Sequence, residues 1–100
     1  MADEEHPLVA AYRQFSPTSA ALAQRAQMVF PGGDTRASAH YGPYPLVMDN
    51  ASGCRMRDVD GNEVIDFMNN FTSLIHGHAF ADTVAAVQAQ VAQGLSLIHI

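Results

Sequence analysis

Apolar and polar positions follow two different periods along this chain, and the changes of period mark its elements. From Ser16 to Phe30, in SPTSAALAQRAQMVF, Leu22, Ala26 and Val29 recur at helical spacing. That pattern predicts an amphipathic helix with Ser16 as N-cap and Pro17 at its first position. A shorter helix is expected before it, starting at Pro7 and carrying Leu8, Val9, Ala11 and Tyr12. Pro31-Gly32-Gly33 stops the second helix, and Pro31 to Pro45 reads as loop. Toward the end of the chain Val84, Val87 and Val91 form another helical stripe, with Asp82 in the first turn and Gly94 as the stop after Gln93.

Between these helices the period shortens to two. Leu46-Val47-Met48 reads as a strand, Asn50 to Gly53 as a turn, and Cys54 to Phe67 as a hairpin folded about Asp60-Gly61. A two-residue turn there sets Arg55 opposite Asp66 and gathers Cys54, Met56, Ile65 and Phe67 on one apolar face. The expected sheet is a three-stranded antiparallel meander.

Composition narrows the function classes. A hundred residues make at most one small domain, and 48% hydrophobic with 15% charged residues argues against disorder. A formal charge of −5 argues against nucleic acid or an anionic membrane as partner. Cys54 is the sole cysteine, so no intrachain disulfide forms and a cytoplasmic setting is natural. The start MADEEHP has no apolar core of a signal peptide, and no apolar run approaches membrane-spanning length. Counted from Asp58, glycine falls fourth where a calcium loop needs it sixth, and His76 and His78 lack further ligands, so no metal is expected. Every basic residue is an arginine: Arg13, Arg25, Arg36, Arg55 and Arg57.

Taken in order, PGGDTRASAHYGPYPLVM, DVDGNEVIDF and HGHA resemble the N-terminal signature of the class III pyridoxal-phosphate aminotransferases, over roughly Ala20 to Gly94. That family includes the glutamate-1-semialdehyde aminomutases. The resemblance implies an α/β architecture, the N-terminal segment of a fold-type-I transferase. It would comprise helices, the meander and the first helix of the large domain. The implied activity moves an amino group from a β- or other non-standard amino acid to a 2-oxo acid, with pyridoxal 5'-phosphate as cofactor and a homodimer as the assembly. Arg36 matches the arginine that follows the PGG turn in the β-amino-acid branch and would grip a substrate carboxylate with two parallel hydrogen bonds. Phe71 falls where the family has an aromatic pocket wall, and Asn70 and Thr72 would orient the polar end of the substrate. His78 would serve as a helix cap or packing residue. Ala81 stands where the family has proline.

Two rivals are kept. An aminomutase would carry serine at position 36 and arginine where this chain has Ala39, which speaks against it. A stand-alone dimerisation or binding module would have no chemistry at all. The cofactor of a transaminase is held as a Schiff base on lysine, and arginine cannot replace it because it stays protonated. With no lysine in the sequence, the 100 residues are expected to be an inactive piece whose lysine lies beyond Gly94. The expected organisation is 1–53 for the N-terminal helices, substrate loop and first strand, and 54–94 for the hairpin, site loop and first large-domain helix. The last six residues, 95–100, back-translate with allowed codons to the mosaic end of a transposon adaptor and are expected to be a cloning scar. Expressed alone, the chain should be poorly folded or aggregate. A sharp, cooperative melt of a monomer would overturn that expectation.

Overall fold

The computed structural model describes residues 5–34 and 40–94. The elements run α1 (Pro7–Phe15), α2 (Pro17–Val29), a 3₁₀ turn (Pro31–Gly33), β1 (Met48–Ser52), β2 (Arg55–Asp58), β3 (Glu63–Ile65), a single turn α3 (Asn69–Thr72) and α4 (Ala81–Val91). The strands form one sheet in the order β1-β2-β3. This is the expected mixture of helices and a three-stranded antiparallel meander. The chain divides into two compact units: Met1–Asn50 with Arg57–Val64, and Ala51–Met56 with Ile65–Ile100.

In the first unit, proline opens each helix, where a missing N–H costs nothing. Ser16 ends α1 and begins α2, as expected of an N-cap by position. Its hydroxyl, however, donates backward to the Tyr12 carbonyl at 2.8 Å and lies within hydrogen-bond distance of Tyr44 Oη, at 3.2 Å. The first amides of α2 are capped from elsewhere. Asp60 accepts from Thr18 N at 2.8 Å and from Ser19 N at 3.2 Å, so a carboxylate meets the positive end of the helix. Leu22 and Ala26 are half-buried as the spacing predicts, but Val29 is 69% exposed, because α2 ends there and the chain turns away at Pro31.

The meander departs from the sequence reading in two ways. First, β1 begins at Met48 and includes Asn50, Ala51 and Ser52, which composition assigned to a turn. Pairing with β2 overrides their weak strand preference. Second, the hairpin register differs by one residue. Asp58 N donates to Asn62 O at 3.0 Å and Asp66 N to Cys54 O at 2.8 Å, so Asp58 faces Asn62 and Cys54 faces Asp66. The connection is three residues, Val59 to Gly61. Gly61 N donates to Asp58 O at 3.1 Å, and Gly61 takes φ 88, the left-handed glycine that follows a tight turn. The Asp58 carboxylate fixes this choice: it accepts from Asp60 N at 3.0 Å, from Asn62 N at 2.7 Å and from Asn62 Nδ2 at 2.8 Å, and is 1% exposed. A one-residue shift sends side chains to opposite faces. Met56 is half-buried, but Ile65 is exposed and Phe67 is 94% exposed, so the expected apolar face is not formed.

Among the described residues Tyr44 is the one large apolar side chain that is buried. Around it Tyr12 packs with ring centroids 5.2 Å apart and donates its hydroxyl to the Tyr44 carbonyl at 2.8 Å. Burial first, then the neighbouring phenols of Tyr41 and Tyr44, push the Tyr12 hydroxyl from its ordinary 10.0 up to about 12. A raised folded-state value favours the folded state while the phenol is neutral. That contribution is complete below about pH 10 and lost as pH rises toward about 12. Stability followed by denaturant titration in the full-length protein should fall across this window, and Tyr12→Phe should flatten the fall.

Candidate functional site

Within the second unit, β3 leads into a loop whose two ends are held by one carboxylate. Asp66 Oδ1 accepts from Met68 N at 2.8 Å and Asn69 N at 2.9 Å, the usual reach of an aspartate to the backbone just ahead of it. Asp66 Oδ2 meets His78 Nε2 at 2.7 Å, and its side chain is 6% exposed. An ionised carboxylate only accepts, so His78 Nε2 carries the proton in this pair. The Asn69 amide, then the His78 ring, hold the Asp66 carboxyl below its ordinary range against a smaller opposing effect of burial. The two-residue turn set Arg55 opposite Asp66; the observed register sets Cys54 there. With Asp66 facing Cys54, its carboxylate is turned to the loop.

The segment between these ends is strained. Asn69, Asn70, Phe71 and Thr72 all have positive φ, at 52, 46, 55 and 67°, making α3 a left-handed turn built without glycine. Such backbone costs about 1–2 kcal/mol per residue, which asparagine tolerates better than phenylalanine or threonine. Local bonds offset part of it. Thr72 N donates to Met68 O at 3.2 Å, Ser73 N to Asn69 O at 3.0 Å, and Ser73 Oγ to Asn70 O at 2.8 Å while accepting from Asn70 Nδ2 at 3.0 Å. The turn carries Asn70, Phe71 and Thr72, the residues expected to line a substrate pocket, and leaves all three exposed. Phe71, at 57% exposed, is not a core residue of this unit.

The loop closes at HGHA. Gly77 has φ 78, and a Cβ there would lie 2.7 Å from the Gly53 carbonyl oxygen. This approach lets His78 pair with Gly53 through two backbone bonds of 2.9 and 2.8 Å. His76 stacks on Phe80 at 4.5 Å, and Phe80, not His78, caps α4. His78 is thus a tie to the sheet and to Asp66 and not the expected helix cap. A recess of about 430 Å³ opens beside this closure, lined in part by Cys54, Asp66, Asn69 and His76. An apolar groove of about 450 Å³ runs along α4, where Leu74, Ile75, Phe80, Val84 and Val87 contribute.

Arg36 lies outside the described residues. In the first unit the residues that flank its loop, Asp34 and His40, are joined at 2.5 Å through Oδ2 and Nδ1. No group of three or more metal-ligating side chains occurs among the described residues, and no helix there is long and apolar enough to cross a membrane. Reasoning from sequence passed over Asp66 and Gly77. Asp66 had a visible signal, an aspartate three residues before Asn69-Asn70, but was assigned to cross-strand pairing. The Gly77 approach to Gly53 joins residues 24 positions apart and left no local trace.

Comparison with known proteins adds the lineage. The family described as aminotransferase class-III matches residues 36–100. A glutamate-1-semialdehyde 2,1-aminomutase of Thermoplasma acidophilum is 45% identical over 74 residues, covering 74% of this chain and 18% of that protein. A solved transaminase with PLP bound is 49% identical, with TM-score 0.76 over 82% of this chain and 19% of its own. An omega-transaminase from Sphaerobacter thermophilus is 41% identical, with TM-score 0.77 over 90% of this chain and 20% of its own. The chain spans about a fifth of the length of these relatives.

Gly77→Ala combines a left-handed φ with backbone overlap, and the carbonyl it meets has little room to yield. It should destabilise the protein by about 2 kcal/mol or more. Gly32→Ala is the control, with φ 73 but open space around the added methyl, and should cost about 1 kcal/mol. Denaturant midpoints of the two variants measure the difference.

Proposed function

Because the chain belongs to the class-III aminotransferase family, which uses pyridoxal phosphate, we propose that it is the substrate-side part of a longer aminotransferase. That enzyme transfers an amino group from a β- or other non-standard amino acid to a 2-oxo acid. The observation carrying this reading is the left-handed turn that presents Phe71 beside Asn70 and Thr72. An exposed aromatic face flanked by an amide and a hydroxyl suits a substrate with an apolar substituent and a polar end. Arg36 is assigned the substrate carboxylate, since a guanidinium fixes both its position and its orientation.

Pyridoxal phosphate supplies the electron sink for amino transfer, but these 100 residues do not include the lysine that anchors its aldehyde. The role of this chain is accordingly to bind and orient substrate. Residues 1–53 contribute the N-terminal helices and the carboxylate loop, and 54–94 the hairpin, the site loop and the first large-domain helix. The parent is a cytoplasmic homodimer in this reading, and the exposed Leu8, Met28 and Val29 of α1 and α2 are in keeping with a partner subunit there.

A second reading is an aminomutase that shifts the amino group within one substrate, favoured by the 45% identity to a protein of that name. Ala39, where that branch has arginine, weighs against it. In the full-length parent, Arg36→Ala should raise KM for the carboxylate-bearing donor about tenfold or more with a smaller change in kcat. An unchanged KM removes Arg36 from the site. Conversion of glutamate-1-semialdehyde without consumption of an external 2-oxo acid replaces the transaminase reading with the mutase.

A further inference from the structure

We propose that Asp66 and His78 form a positioning latch that closes the loop 66–78 and holds the left-handed turn in the form that presents Phe71 to substrate. The inference rests on the functional reading above. Its basis is the division of labour within one carboxylate. Oδ1 takes the Met68 and Asn69 amides, which enter the left-handed turn, while Oδ2 takes His78, which leaves the loop. His78 is itself fixed by its two backbone bonds to Gly53. Entry and exit of the loop are thereby tied to the same side chain, and the sheet holds both.

The turn needs such a tie. Four consecutive non-glycine residues at positive φ do not persist unless their surroundings over-determine them. The bonds inside the turn, from Ser73 to Asn69 and Asn70 and from Thr72 N to Met68 O, leave the Met68 and Asn69 amides to be satisfied from elsewhere. Asp66 supplies the entry. If it is removed, residues 69–72 are free to relax to right-handed or extended backbone, which re-aims Phe71 and its neighbours. Neither Asp66 nor His78 touches substrate in this account; both act through the turn that carries Asn70, Phe71 and Thr72.

The experiment uses the full-length parent with its cofactor. Asp66→Ala and His78→Ala should each lower kcat/KM for the amino donor about tenfold, chiefly through KM, with the absorbance spectrum of bound cofactor unchanged. Asp66→Asn should recover most of the loss, because its oxygen still accepts from Met68 and Asn69 and its amide can face His78 in the other tautomer. The decisive comparison is the double variant Asp66→Ala/Phe71→Ala. If the latch acts by aiming Phe71 and its neighbours, the double variant loses clearly less than the product of the two single losses. Losses that multiply, or an Asp66→Ala variant that melts earlier with an unchanged kcat/KM, overturn the proposal. Hydrogen exchange of the Met68 and Asn69 amides separates this failure from that of the functional reading. Exchange should quicken about tenfold in Asp66→Ala, and an unchanged rate refutes the latch whatever the enzyme does. A parent with no amino-transfer activity on any donor overturns the functional reading, and the positioning role with it, even where exchange quickens.

Discussion

The hydrogen bond from a backbone amide to an aspartate carboxylate carries this structure. Asp58 accepts from two backbone amides in the hairpin turn, Asp60 from two at the start of α2, and Asp66 from two at the entry to α3. In each case the amides would otherwise lack an intrachain partner, and a charged acceptor is stronger than a neutral one. With Tyr44 as the one large apolar side chain buried among the described residues, hydrophobic burial does not dictate the path of the chain at these points. Local carboxylates do. The acidic balance of the sequence is therefore partly a structural device.

The same constraint explains where the candidate site sits. A left-handed turn of asparagine, phenylalanine and threonine is unfavourable by itself, and it occurs where a carboxylate and a histidine enclose it. Strain of this kind gathers at functional sites and persists where the surroundings over-determine it. Phe71 lies in this strained turn and is exposed. Gly77 supports the enclosure by giving up its side chain so that His78 can reach Gly53.

Much of the fold was legible before any coordinates. The proline-led starts of α1 and α2, the stop at Pro31, the three-stranded order and the last helix follow from propensity and period, which act over a few residues. The hairpin shows where that reading ends. Asp60-Gly61 suits a two-residue turn, and the sequence of its flanks allows an apolar face in that register. What shifts the register is the Asp58 carboxylate, which takes the Asn62 amide and favours three residues in the loop. Arg55 and Asp66 are plausible partners by charge. Asp66 accepts from the Met68 and Asn69 amides of its own loop.

From the sequence alone came the helices, the meander and the likeness to an aminotransferase family, and from that likeness the expectation that Asn70, Phe71 and Thr72 line a substrate pocket. The helices and the meander depend on residues near each other in the chain, where composition and spacing carry the information. Tertiary structure decided the register, the left-handed path of residues 69–72, the capping of α2 by Asp60, and the closure of Asp66 on His78 and of Gly77 on Gly53. Each of these pairs a side chain or carbonyl with a group it meets only once the strands have folded. Which donor a carboxylate accepts from is settled by proximity in space, and a pattern of residue types does not encode that.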